Sequence, residues 1–318
     1  MNLDDLQTLA ADIKGEVGRA VHGQDAIIDQ LLISLFARGH CLLEGPPGTA
    51  KTLLAQSMAT TFQLDFKRIQ FTPDLMPGDV IGANIFDFNT SKFNLIKGPI
   101  FTDILLTDEI NRAPPKTQAA LLQVMNERTV TIDGTNHTVG DLFFVIATQN
   151  PIEHQGTYPL PEAQLDRFLF KLVLDFPDRD AEFEILRRHA NQPLEHDARK
   201  AGLKTVATKA KIKEGQKLVD SILLDEKILT YVLDLVRATR QDNSITHGAS
   251  TRAADALCGA VRATAALQGR DYAIPDDVKG LFNAAMRHRI VLSPSAEIEG
   301  LTPDDVLEQL LNQVEAPR

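Results

Sequence analysis

Eight residues constrain this chain more than anything else in it: Gly45-Pro46-Pro47-Gly48-Thr49-Ala50-Lys51-Thr52. Before them, Cys41-Leu42-Leu43-Glu44 reads as a short buried strand; after them, Leu53, Leu54 and Met58 recur at helical spacing. A strand, a glycine-rich turn and a helix in that order form a cradle of backbone N–H donors, with the positive end of the helix dipole aimed at the same point. A triphosphate needs that arrangement. Lys51 is placed to reach the β- and γ-phosphates, and the Thr52 hydroxyl to ligate Mg²⁺. The strict form of the pattern has glycine where Ala50 stands. Alanine fits if that residue has helical dihedrals, and its place at the helix start predicts that it does.

Other apolar runs extend the pattern into a largely parallel sheet covered by helices. Ile104 to Thr107 and Phe143 to Ala147 lack alternation, which signals burial on both faces; Phe66 to Phe71 alternates, and Leu169 to Leu174 completes the set. The strand at Ile104 ends in Asp108-Glu109. Asp108 is the candidate to hold Mg²⁺ beside Thr52, and Glu109 to polarise the water that attacks the γ-phosphorus. Asn150, after the strand at Phe143, either orients that water or forms a turn before Pro151. Arg167, in Asp166-Arg167-Phe168, reads as a surface ion-pair partner or as an arginine finger for a neighbouring subunit. Arg252, after Gly248-Ala249-Ser250-Thr251, is a solvated helix-start arginine or a second γ-phosphate contact.

Two hairpins are expected between these elements. One turns at Asp133-Gly134, a strong tight-turn pair, and the other spans Ile85 to Ile96. Past Phe176-Pro177 the pattern becomes helical around 180–190, 210–221, 225–240, 250–267 and 275–287, with no convincing strand and a polar connection from Asn191 to Lys209. The boundary falls near residue 178, giving an α/β unit over 1–178 and a helical unit over 179–318. Lysine plus arginine total 33 against 43 acids, a net charge of −10, which argues against broad nucleic-acid binding. Cys41 and Cys258 have no metal-ligand spacing, no apolar run approaches a membrane span, and the acidic start lacks a signal layout. A cytoplasmic protein without membrane insertion is expected.

Four segments together resemble AAA+ ATPases, and within them the MoxR group: Arg68 to Asp74, Gly98 to Phe101, Asp108 to Gln118, and Ala147 to Pro151 running on from Gly156 to Phe168. The resemblance covers nearly the whole chain. It implies a three-layer αβα nucleotide-binding domain with a mostly parallel sheet, plus a small all-α lid. It implies that Val21, Gly23 and Gln24 pack near adenine, that Asn150 is the first sensor, Arg167 a trans-acting finger and Arg252 the second sensor. Alanine at position 50 is usual in that group, whereas Thr251 stands where proline is frequent. ATP and Mg²⁺ are the implied cofactors, and the implied assembly is a homo-oligomeric ring, a hexamer. The implied work is remodelling of protein clients with a separate partner carrying a von Willebrand factor A (VWA) domain, the two hairpins lining the ring's central surface. A metal-chelatase motor subunit shares these hairpins and is the nearest alternative. A nucleic-acid motor or loader and a nucleotide-gated scaffold are further ones.

Overall fold

The computed structural model describes residues 1–150, 156–190 and 202–317. Two helices come first, α1 (Leu3–Gly18) and α2 (Asp25–Phe36). The α/β unit runs β1 (Cys41–Glu44), α3 (Lys51–Thr61), β2 (Phe66–Gln70), α4 (Pro77–Ile81), β3 (Gly82–Asp87), β4 (Lys92–Lys97) and β5 (Ile104–Asp108). It continues through α5 (Pro115–Glu127), β6 (Thr129–Ile132), β7 (Thr135–Thr138), β8 (Phe144–Gln149), α6 (Glu162–Leu165) and β9 (Phe170–Val173). Helices α7 (Arg179–His189), α8 (Lys209–Asp220) and α9 (Glu226–Ala238) follow, then β10 (Ile245–His247), α10 (Thr251–Leu267) and α11 (Pro275–Met286). β11 (Val291–Leu292), α12 (Pro294–Ile298) and α13 (Pro303–Gln313) complete the chain. Of the expected 191–209 connection, residues 191–201 lie outside the described residues.

Five strands form one parallel sheet in the order β2-β5-β8-β1-β9. Its central strands are apolar on both faces because both faces are covered. Ile104 and Leu106 join Leu54 and Met58 of α3 on one side. Leu105 joins Leu121 and Leu122 of α5 on the other. The first of these clusters continues without a break through α1, α2 and the lid helices, where Leu6, Ile13, Ile212, Leu257 and Phe282 are fully buried. In α1 the buried residues Leu6, Leu9, Ile13 and Val17 recur every three or four positions, and Asn2 and Asp5 close a capping box at its start.

Both hairpins form. The β6–β7 pair turns at Asp133 and Gly134, each with positive φ, as a two-residue mirror-image turn requires. The β3–β4 pair carries Phe86 and Phe93 opposite each other, their rings 5.1 Å apart. The helical half differs from expectation in two respects: α12 and α13 follow the last expected helix, and β10 and β11 pair antiparallel into a small ribbon. Three- and two-residue strands are too short to show a sequence period.

Beneath the sheet, the His40 ring is fully buried. Its Nδ1 accepts from the Val145 N–H (3.0 Å), and its Nε2 donates to the Met125 carbonyl (3.1 Å). Burial pushes this imidazole down from the ordinary 6.5 to about 4. It joins β8 to the last turn of α5.

Candidate active site

The phosphate loop starts where β1 ends, at the carboxyl edge of the sheet. Gly45 passes so close to Leu174 that a Cβ would stand 2.4 Å from the Leu174 carbonyl oxygen. Gly48 has φ +86 with open space around it. Ala50 corrects the sequence expectation: it caps α3 with φ 59 and ψ 22, in the left-handed region rather than the helical one. The cap lies outside the helix, and the chain must reverse hand there for successive N–H groups to converge on one point. For alanine this conformation costs about 1–2 kcal/mol. Lys51 Nζ donates to the carbonyls of Gly45 (2.8 Å) and Pro46 (2.7 Å) and to Thr49 Oγ1 (3.2 Å). Burial lowers the pKa of this ammonium, although Asp108 and Glu109 oppose the shift. Thr52 is half-buried on the first turn of the helix.

The two acids stand beside this loop. Asp108 is buried at the end of β5, where Thr148 Oγ1 donates to its Oδ1 (3.2 Å) and Arg68 Nε to its Oδ2 (2.5 Å). Glu109 follows with φ 56, and its backbone N–H donates to the same Thr148 hydroxyl (2.9 Å). The left-handed turn lets two consecutive carboxylates serve one edge, which a continued strand would forbid. Glu109 Oε2 accepts from Gln70 Nε2 (2.7 Å) and pairs with Arg112 Nε (3.0 Å). Sequence reasoning missed Arg68, Gln70, Arg112 and Thr148. The signal for two of them is register: Gln70 pairs with Asp108, and Thr107 with Ala147, the residue before Thr148.

The remaining candidates divide between the two edges of the sheet. Asn150 follows β8 at the carboxyl edge and is half-buried. Val21 and Gln24 are buried, and Gln24 Nε2 donates to the Asp175 carbonyl (3.2 Å). Gly23, with φ +72, lies against Pro177 and Ala181. Gly23 and Gln24 therefore border the segment that follows Leu174, itself the neighbour of Gly45. Arg167 and Arg252 lie at the opposite edge. Arg167 precedes β9, whose first residue Phe170 pairs with Cys41, the first of β1. Its Nη1 donates to the Leu122 carbonyl of α5 (2.5 Å), and its Nε is buried without a partner. One turn along α5, Asn126 Oδ1 accepts from Arg252 Nη2 (2.8 Å). The four residues of β1, rising about 13 Å, separate this edge from the phosphate loop.

The chain is similar to known proteins over nearly its whole length. The profile of the ATPase family associated with various cellular activities (AAA) matches residues 40–170, and that of the AAA lid domain matches 237–310. Chaperone MoxR1 of Mycobacterium tuberculosis is 40% identical over 95% of this chain and 81% of its own length. The chain belongs to the MoxR family of AAA+ ATPases. Protein MoxR of Methylorubrum extorquens is 30% identical over 99% of this chain and 97% of its own, and the uncharacterized Bacillus subtilis protein YeaC is 42% identical over the same shares. A crystal structure of a candidate ATPase from Cytophaga hutchinsonii superposes with a TM-score of 0.90 at 39% identity, covering 99% of this chain and 97% of that one.

A MoxR-family chain implies nucleotide binding, usually with Mg²⁺, and the residues at the carboxyl edge fit both groups. The loop offers open space at Gly48, a lysine held only by neutral acceptors, and a hydroxyl on the first helical turn. Asp108 already takes a cation on Oδ2, the Arg68 guanidinium. No helix among the described residues is long and apolar enough to cross a membrane.

Proposed function

We infer that this chain hydrolyses ATP with Mg²⁺ in sites shared between neighbouring subunits of a ring, a hexamer, and spends the turnover on remodelling protein clients. The observation that carries the reading is the separation of the two edges. Lys51, Asp108 and Glu109 gather at one end of the sheet, while Arg167 and Arg252 bond to α5 one turn apart at the other. A finger placed there has no route to its own phosphate loop, so both arginines serve the adjacent subunit, Arg252 in trans like Arg167.

Gly45 to Thr52 would hold the triphosphate, with Lys51 exchanging its three neutral acceptors for phosphate oxygens, and Val21, Gly23 and Gln24 would border the base. Thr52 and Asp108 would hold the metal. Held there, Mg²⁺ would supply charge neutralisation at the phosphate oxygens. Glu109, once released by Gln70 and Arg112, orients the attacking water, assisted by Asn150. The Mycobacterium relative is named a chaperone, which favours protein clients over tetrapyrrole or nucleic acid here. The partner would be a separate VWA-domain protein.

The test is ATPase rate per subunit against protein concentration, with Arg167→Ala alongside. A rate that falls on dilution to monomer, and a loss of about 10³-fold in the variant, are expected. A constant rate and an active Arg167→Ala would sink the shared-site reading. Capture on Glu109→Gln, compared with Lys51→Ala, would then identify client and partner.

A further inference from the structure

We propose that Arg289, contributed by the lid, is the positioning residue for the Arg167 finger. The proposal rests on the shared-site reading above. Arg289 follows α11, and its side chain is 2% exposed. Such a burial is tolerable only when every donor is matched. Nε donates to Asp166 Oδ1 (2.7 Å), Nη1 to the carbonyls of Leu169 (3.0 Å) and Ala285, and Nη2 to those of Phe168 (2.7 Å) and Asp166 (3.3 Å). Four of these five bonds fall on Asp166, Phe168 and Leu169, the residues that bracket Arg167. His288 adds its Nε2 to the Phe168 carbonyl (3.0 Å).

The backbone on both sides of the finger is thus gripped by two consecutive lid residues, while the finger itself is held loosely. Arg167 donates through Nη1 to the Leu122 carbonyl, and its buried Nε has no partner. A fixed base with an under-satisfied guanidinium suits a side chain that must leave its own subunit on assembly. It does not suit a plain structural staple, which would satisfy Arg167 as fully as Arg289. Arg289 touches neither phosphate nor water in this scheme and acts only through Arg167.

The decisive experiment mixes subunits. Arg289→Lys keeps the charge but cannot span five acceptors in a plane. As a homogeneous ring it should lose about ten- to a hundredfold in kcat, with KM for ATP and binding of a fluorescent ADP analogue changed by no more than about twofold. Lys51→Ala has a dead loop but a sound finger. Mixed with Arg289→Lys, it should raise ATPase per Arg289→Lys subunit severalfold, because the sound loop now receives a sound finger. Mixtures of Arg167→Ala with Lys51→Ala calibrate the assay. If they recover and the Arg289→Lys mixture does not, the positioning role is overturned while the shared site stands. If neither recovers although sedimentation shows mixed rings, the shared-site reading falls and this proposal with it. Should Arg289→Lys fail to fold, Asp166→Asn, which keeps the oxygen that Nε uses and removes the charge, goes into the same mixture: recovery supports the positioning role, and its absence beside a recovering Arg167→Ala mixture overturns it.

Discussion

Acid should destabilise this protein through His40, and the structure sets the size of the effect. Both ring nitrogens are committed, one accepting from β8 and one donating to α5, so a second proton has nowhere to go without breaking the Val145 bond. Burial takes the imidazole from 6.5 to about 4. Between those values the unfolded chain binds a proton that the native protein refuses, so stability rises with pH across the window and is lost as pH falls. For one such group the loss from pH 7 to pH 5 is about 2 kcal/mol, more than tenfold in the folding equilibrium. Urea unfolding at pH 7, 6 and 5 measures it, with His40→Gln as the non-titrating comparison. The variant should be less stable at pH 7, because one of the two buried bonds is lost, yet its stability should fall about 2 kcal/mol less between pH 7 and pH 5. His288 is also pushed down by burial and by the charge of Arg289, and it contributes in the same direction to both proteins. Parallel curves for wild type and variant, or an NMR titration of His40 near 6.5, would refute the reasoning.

Gly45→Ala should abolish nucleotide binding, measured by equilibrium titration, because the added carbon meets the Leu174 carbonyl rather than a flexible side chain; retained affinity would mean the loop can shift as a unit. Ala50→Gly should stabilise the protein by up to about 1 kcal/mol, since the left-handed penalty of about 1–2 exceeds the unfolded-state entropy term of about 0.4–1. A lower melting temperature would contradict that balance. Gln70→Leu removes one of the two restraints on the Glu109 carboxylate and should raise the basal ATPase rate severalfold without changing ATP affinity; an unchanged rate would show that Arg112 alone sets the resting position.

The sequence makes the site's local pieces plain and hides what joins them. A phosphate loop is contiguous, and Asp108-Glu109 sits at the end of an unbroken apolar run, so both can be found without knowing what lies beside them. Thr148 and Gln70 become meaningful only once β8 and β2 are known to flank β5, and strand order leaves no mark on either segment. Ala50 departs from expectation for a different reason: residue type and helix proximity suggest helical dihedrals, but the turn's need to reverse hand decides them. Arg289 lies more than a hundred residues from the stretch it grips, inside a helical region whose periodicity speaks only of core. The end of the lid carries local signals that the sequence reading passed over. Ser293-Pro294 and Thr302-Pro303, with Asp305 completing a capping box, mark the starts of α12 and α13.

The unbroken apolar cluster that runs from α1 through the sheet face into the lid has a mechanical consequence. A lid joined to its base by a thin seam can swing on it like a door. Here, swinging would pull Leu6, Ile212 and Leu257 away from shared neighbours and wet them, at about 2 kcal/mol for each side chain exposed. Lid and base of each subunit therefore move as one stiff body, and in the ring proposed above the give would lie in the seams between copies, where the arginines of one would meet the loop of the next.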